Sequence, residues 1–239
     1  GDRAALLAMA RRYPDTAAAE TAIEHLARTA EVAEAPTLAA TLEALRNSAL
    51  GPAAAWWQAQ VELRLRGDLP TARAALRSLT QRWPESRFTA DALNLLGALY
   101  CRQGAWREAR ETYAALAQRN ADRGFLSMGS ERDSRADDAA LRVAEIALLG
   151  ERDAGRATRA YRNFLVDFGD SPLADDAAFG LARARFLAED ADGARAALQR
   201  LLRDYPKSRH VVAARALLAG GLPPPLDTSR LTPAELAAP

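Results

Sequence analysis

The sequence predicts an all-α solenoid of antiparallel helix pairs, and three observations lead there. First, a short phrase of aromatic, Pro, charged residue and Ser or Thr recurs. It reads Tyr13-Pro14-Asp15-Thr16, Trp83-Pro84-Glu85-Ser86 and Tyr205-Pro206-Lys207-Ser208, with a looser copy at Phe168-Gly169-Asp170-Ser171-Pro172. Second, apolar residues stand four, seven and eleven places behind each aromatic: Leu79, Leu76 and Ala72 behind Trp83, Leu201, Leu198 and Ala194 behind Tyr205, and Phe164, Tyr161 and Ala157 behind Phe168. Steps of three and four place such residues on one helix face. Third, the copies are evenly spaced. With two degenerate copies ending at Ala49 and Asn120, the six anchors lie 36, 34, 37, 48 and 37 residues apart. Four of these intervals fall near the period of about 34 residues expected of stacked helix pairs, and the fifth carries roughly 11 to 14 extra residues.

The elements follow in order. Residues 2–13 read as the second helix of a pair whose first is missing, and the chain starts at Gly1 rather than Met, so an upstream segment is expected. The pair over 16–49 has His25 and Thr29 where larger core residues are usual. The next first helix, 52–66, opens with Pro at a first helical position and stops before Gly67-Asp68. Residues 87–102 carry Leu93, Leu96, Gly97 and Tyr100 on one face, and Gly104 ends the helix. Helices are likewise expected over 136–149, stopped by Gly150, and over 172–188, opened by Ser171-Pro172. The Pro after each aromatic terminates the helix before it, and Ser86 and Ser208 are N-cap candidates. Residues 207–219 form a lone capping helix, with Val211, Val212, Leu217 and Leu218 inward. The solenoid thus covers 1–219, with about five helix pairs and an insertion at 120–135. The tail, 220–239, opens Gly-Gly-Leu-Pro-Pro-Pro and is expected to be disordered, with a peptide lying on a neighbour as the alternative.

Composition narrows the function. The apolar fraction is 49% with aromatics at 6%, so Ala, Leu and Val fill closely packed helices. A net charge of +1 gives no reason to expect nucleic acid. No run of about 18 apolar residues exists to span a membrane. Catalysis needs converging polar groups, and the chain has two histidines, His25 and His210, far apart in the repeat order. Cys101, the sole cysteine, reads as a core thiol, because a nucleophile would need a nearby His. Asp190-Ala191-Asp192-Gly193 begins like a calcium loop, but Leu201 stands where a bidentate Glu is required. Asp137-Asp138 and Asp175-Asp176 occupy first helical turns, where acids suit the helix dipole. No catalytic residue, metal site or cofactor is expected.

The pattern resembles the tetratricopeptide repeat family. The stretch Ala90 to Arg119, with Leu93, Leu96-Gly97, Tyr100, Ala109, Tyr113 and Leu116, follows its alternation of large and small residues, and Trp56 with Leu63, Ala72, Leu76, Leu79 and Pro84 makes a second unit. The endings YPDT, WPES and YPKS are similar to those of bacterial envelope members, namely the Tol–Pal coordinator and the lipoprotein of the outer-membrane β-barrel assembly machine. The resemblance implies a right-handed superhelix and a non-catalytic scaffold that binds a protein or peptide in a concave groove. It also implies a periplasmic location, with an outer-membrane anchor upstream. The alternatives are the solenoid of a lytic transglycosylase-like enzyme and a cytoplasmic adaptor. In this family the first helices of successive pairs line the groove. Carried onto this chain, the partner-binding residues would be Trp57, Val61 and Arg64, then Asp91, Asn94 and Ala98, then Arg142 and Ile146, then Asp176, Phe179, Arg183 and Phe186. Trp57 adjoins Trp56 about 100° around the helix, so only one of the two can fill the core. A second candidate surface is the insertion, where Phe125, Leu126 and Met128 lack periodic partners.

Overall fold

The computed structural model describes residues 2–126 and 134–232, and of residues 120–126, 134 and 135 the backbone alone. The described residues are helical, without strands, and adjacent helices pack against one another as pairs. The chain divides into two compact units, Gly1–Leu96 and Gly97–Pro239.

The first unit holds α1 (Asp2–Arg12), α2 (Ala17–Thr29), α3 (Ala35–Leu45), α4 (Gly51–Val61), α5 (Leu69–Arg82) and the start of α6 (Thr89–Arg102). α4 packs on both its neighbours in sequence and also on α2, so first helices of successive pairs lie side by side. Ile23, Leu26, Leu38, Leu42 and Val61 share one buried cluster. Burying each such side chain stabilises the fold by about 1.5–3 kcal/mol.

The second unit takes up the rest of α6, then α7 (Trp106–Leu126), α8 (Ser134–Glu145), α9 (Ala154–Asp167), α10 (Ala174–Leu187), α11 (Ala191–Asp204) and α12 (Val211–Leu218). From α7 on, each helix packs on the next, and α10 also touches α8. α7 continues to Leu126 instead of ending at Asn120. The physical reason lies in the sequence: Asn120 is followed by Ala121, not by the proline that stops the helix elsewhere.

The recurring phrase is a recurring turn. Trp83, Phe168 and Tyr205 each follow a second helix with φ between −132° and −128°, and each donates its N–H to the carbonyl four residues back. The residue three places on then donates its N–H to the aromatic's carbonyl: Ser86 at 3.0 Å, Ser171 at 3.0 Å, Ser208 at 3.0 Å, and Thr16 to Tyr13 at 3.2 Å. Between adjacent helices, a second device recurs. Gly97 faces Tyr113, and Gly180 faces Tyr161, so closely that a Cβ would overlap the ring. Glycine admits the tyrosine of the neighbouring helix because nothing larger fits.

The turns inside the pairs fall near the stops expected at Gly67, Gly104 and Gly150, with a geometry of their own. α4 and α8 close with π turns, Glu62–Arg66 and Ile146–Gly150. A left-handed residue follows in several pairs: Gly67 (φ 63), Gly104 (φ 69), Arg152 (φ 54) and Glu189 (φ 59). Where the next residue is Asp, it caps the second helix: Asp68 accepts from Thr71 N–H, Asp153 from Arg156 N–H and Asp190 from Gly193 N–H. The Asp190 phrase is therefore a helix start.

Candidate functional site

In the first unit, α2, α4 and the segment before α6 enclose an open cleft of about 510 Å³. Its aromatic floor is Trp56, Trp57 and Phe88. Trp56 stacks on Phe88 at 6.2 Å and meets Trp57 edge-on at 6.5 Å. Arg28 lies over the Trp57 ring at 5.1 Å and Arg87 over Phe88 at 4.7 Å. Such cation–ring contacts hold the guanidinium groups along the walls. Glu24, Gln60, Arg64 and Asp91 complete the lining. Arg64 donates to the carbonyls of Ala27 and Arg28, which closes the exposed end of α2. Arg87 pairs with Glu20, and Arg28 with Glu24 at 2.9 Å. The indole N–H of Trp57 is buried and has no hydrogen-bond partner among the described residues.

In the second unit, the face of α8 and α10 is covered by the chain's own tail. Arg183 donates to the carbonyls of Pro224 at 3.4 Å and Pro225 at 3.1 Å. Arg142 donates to the carbonyl of Arg230 at 3.0 Å, and the Arg230 guanidinium pairs with Glu145 at 3.1 Å. Glu145 also pairs with Arg142 at 3.3 Å. Leu231 is buried to 1% exposure. The tail thus lies along this face through residues 224–231. Its hydrogen bonds go through backbone carbonyls and a single guanidinium, which leave no hydrophobic period to read. Burial pushes the Glu145 carboxyl above its ordinary value, against the pull of Arg142 and Arg230. Burial likewise lowers the hold of Arg183 on its proton.

A cluster of Asp175, Asp176, Ser208 and His210 joins the start of α10 to the turn before α12. Ser208 donates to Asp175 at 2.7 Å, and Arg209 and His210 both meet one Asp176 oxygen at 2.5 Å. The His210 ring stacks flat on Phe179 at 4.4 Å. Ser, His and Asp are the residue types of a nucleophilic triad, but the connections differ. The Ser208 hydroxyl donates to a carboxylate and the His210 Nε2 faces Asp176, so the imidazole does not address the hydroxyl as a triad requires. The two carboxylates and His210 lie close enough to hold a cation, yet their oxygens already accept from Ser208, Arg209 and His210. The arrangement is a tie between successive pairs. Although burial opposes it most, hydrogen bonds from His210 and Arg209 hold the Asp176 carboxyl below its usual range. Cys101 is buried and its thiol is pushed up to about 11 by that burial, so it carries no thiolate for nucleophilic attack near neutral pH.

The residues singled out in the sequence divide accordingly. Trp57, Arg64 and Asp91 line the first-unit cleft. Arg142 and Arg183 hold the tail, with Phe179 close by beneath His210. Val61 and Ile146 are wholly buried and offer no surface, a correction to their assignment to a groove. They sit on first helices that are covered on several sides, where helical phase cannot separate core from groove. Trp57 is the more buried of the two tryptophans, with Trp56 half-exposed, so Trp57 is the one that fills the core. Asn94 is exposed and lies outside the cleft lining. Met128 and the side chains of Phe125 and Leu126 lie outside the described residues. Missed in the sequence were Arg28, Arg87 and Phe88 of the cleft, and Glu145 and Arg230 of the second unit. Glu145 could have been found, since it shares a helix face with Leu141, Leu148 and Leu149, three and four residues away.

The tetratricopeptide repeat family model matches residues 53–86 and 176–208. Those stretches are the α4–α5 and α10–α11 pairs with their closing turns, so the chain carries tetratricopeptide repeats. No curated protein matches it in sequence. Among solved structures, BtubC (BKLC) from P. vanneervenii is similar in fold, with a TM-score of 0.53 and 17% identity over 94% of this chain and 92% of that one. A tetratricopeptide repeat protein from Parabacteroides merdae aligns over 90% of this chain and 77% of its own, with 14% identity and a TM-score of 0.42.

Proposed function

We propose that this chain is a non-catalytic scaffold of the bacterial cell envelope that holds a peptide or protein partner. Tetratricopeptide repeats support an interaction role in general. The observation that carries the reading is the open cleft of the first unit, whose aromatic floor and arginine walls have the composition of an interface anchor. Trp56 and Phe88 present stacked rings, while Arg28, Arg87, Glu24 and Asp91 offer both signs of charge to a polar backbone. The periplasmic location and an upstream membrane anchor belong to the same proposal. Their support is the likeness of the YPDT, WPES and YPKS endings to repeats of envelope proteins.

Affinity capture from a native envelope fraction tests this. The parent chain, Trp56→Ala and Arg87→Ala would serve as baits, each checked for unchanged helicity by circular dichroism. Trp56 and Arg87 are preferred to Trp57 because they are more exposed, so their loss disturbs the core less. One discrete partner should be retained by the parent and lost by Trp56→Ala. Equal retention by all three baits would refute the cleft as the binding surface, and retention only from a cytoplasmic fraction would refute the envelope placement.

A further inference from the structure

The surface beneath the tail differs from the rest of the second unit. Here the first helices α8 and α10 bury two charges, Glu145 and Arg183, at 7% and 9% exposure. Buried charges are costly without partners. Part of what meets them comes from the tail: two proline carbonyls for Arg183, a guanidinium for Glu145 and one further carbonyl for Arg142. The tail itself is lightly held. Leu231 is its one fully buried apolar side chain among the described residues, Leu222 is 91% exposed, and Gly220, at φ 92, followed by Gly221, frees it from α12. Asp227 accepts from the Ser229 N–H at 2.9 Å and from its hydroxyl at 2.8 Å, which pre-forms the short turn Ser229–Leu231 that presents Arg230 and Leu231 together. A strong polar surface met by a weakly tethered strand has the form of a binding site filled in cis.

We propose that the face of α8 and α10 is a peptide-recognition site, and that the tail occupies it as an exchangeable internal ligand. The partner it fits is a segment of the same chemistry: an extended proline pair whose carbonyls meet Arg183, followed by an arginine for Glu145 and an adjacent aliphatic residue. This rests on the reading of the chain as a binding scaffold but concerns a different surface from the first-unit cleft. The tail and a partner exclude one another, so the apparent affinity of the site for a free peptide is its intrinsic affinity multiplied by the fraction of time the tail is away.

The test uses the full chain and a labelled synthetic peptide with the sequence of residues 222–232, read by fluorescence anisotropy. The Arg230→Glu/Leu231→Asp variant removes the tail's own anchors. It should bind the peptide about tenfold more tightly than the parent does, because the internal competitor is gone. Adding Arg183→Ala should abolish that gain, and a scrambled peptide should not bind. Equal affinity of parent and variant, with helicity retained, would overturn the proposal. Hydrogen exchange on the parent gives a reading independent of any variant. Amides of 226–232 should exchange far faster than those of α10, and protection equal to α10 would make the tail a fixed cover and overturn the idea. A concentration-dependent dimer of the parent, lost in the variant, would also overturn it, since the tail would then belong to a second copy. Trp56→Ala should leave peptide binding unchanged, which separates failure here from failure of the cleft.

Discussion

The pairing of glycine with tyrosine can be tested by one methyl group. A Cβ at Gly180 would overlap the Tyr161 ring and stand 2.8 Å from its hydroxyl oxygen. Tyr161 is 3% exposed and lies between α8 and α10, so the ring has nowhere to retreat. Overpacking of this kind costs about 1–3 kcal/mol, and an overlap onto ring carbons belongs at the upper end. Replacing Gly by Ala in a helix interior returns about 1 kcal/mol of propensity. The net for Gly180→Ala is therefore a loss of about 2 kcal/mol, or a fall in Tm of about 4–8 °C for a chain of this length. Gly155 is the control: it is exposed near the start of α9, and a Cβ there would meet nothing nearer than 3.6 Å. Gly155→Ala should be neutral or slightly stabilising. Both midpoints can be read by circular dichroism in thermal and urea melts. If Gly180→Ala matched Gly155→Ala in either melt, close approach would not be the reason for the glycine, and the pairing argument would fail.

Two further outcomes follow from the same geometry. Gly104 sits at φ 69 where its counterparts are Arg152 and Glu189, so Gly104→Ala should cost about 1 kcal/mol, while Arg152→Gly and Glu189→Gly should be neutral or stabilising; urea midpoints decide, and a harmless Gly104→Ala would refute the left-handed requirement. Acid should loosen the tie at Asp176: its folded carboxyl lies below the ordinary 3.8, so its contribution is complete above that value and is lost as pH falls through the lowered one. Glu145, raised by burial, has the opposite sign and gains favour as pH falls, so the measurement is the difference in urea midpoint between parent and Asp176→Asn at pH 5 and pH 3. That difference, about 1–2 kcal/mol at pH 5, should shrink at pH 3, and a constant difference would refute the linkage.

What could be read from the sequence was what neighbouring residues enforce. The aromatic-Pro phrase encodes its own stop and restart, and Trp83, Phe168 and Tyr205 adopt nearly the same backbone because each sits at the same point of the same local turn. Where the phrase decays at Asn120, the boundary decays with it, and the helix runs on. The cleft was half legible. Trp57 and Asp91 follow from the family resemblance, but Arg87 and Phe88, expected inside a helix over 87–102, lie in the turn before α6. Trp56 and Trp57 could not be told apart because α4 touches α2, α3 and α5 and has little free side. The seating of the tail was illegible because its contacts run from residues 224–231 back to residues 142–183 through backbone carbonyls and a single Arg230. Nothing in a proline-rich stretch names the surface it will meet.

The serine of the phrase shows why the repeat period holds so closely. Ser171 and Ser208 each accept a backbone N–H two residues on, at 3.1 and 3.0 Å, and so cap their own turn. The same hydroxyl donates to an acid in the previous first helix: Ser171 to Asp137 at 2.6 Å, 34 residues back, and Ser208 to Asp175 at 2.7 Å, 33 residues back. One oxygen therefore fixes the local chain direction and the distance to the preceding pair. An Asp at that position could cap as well, but it has no proton to give and would set a second carboxylate against Asp175. A hydroxyl both accepts and donates, and that dual capacity explains why a hydroxyl residue, rather than an acid, ends the phrase in these pairs. The acids gain by the same arrangement. Asp137 and Asp175 already favour the first turn through the helix dipole, and the bond from the next pair gives them a second reason to stand where they do.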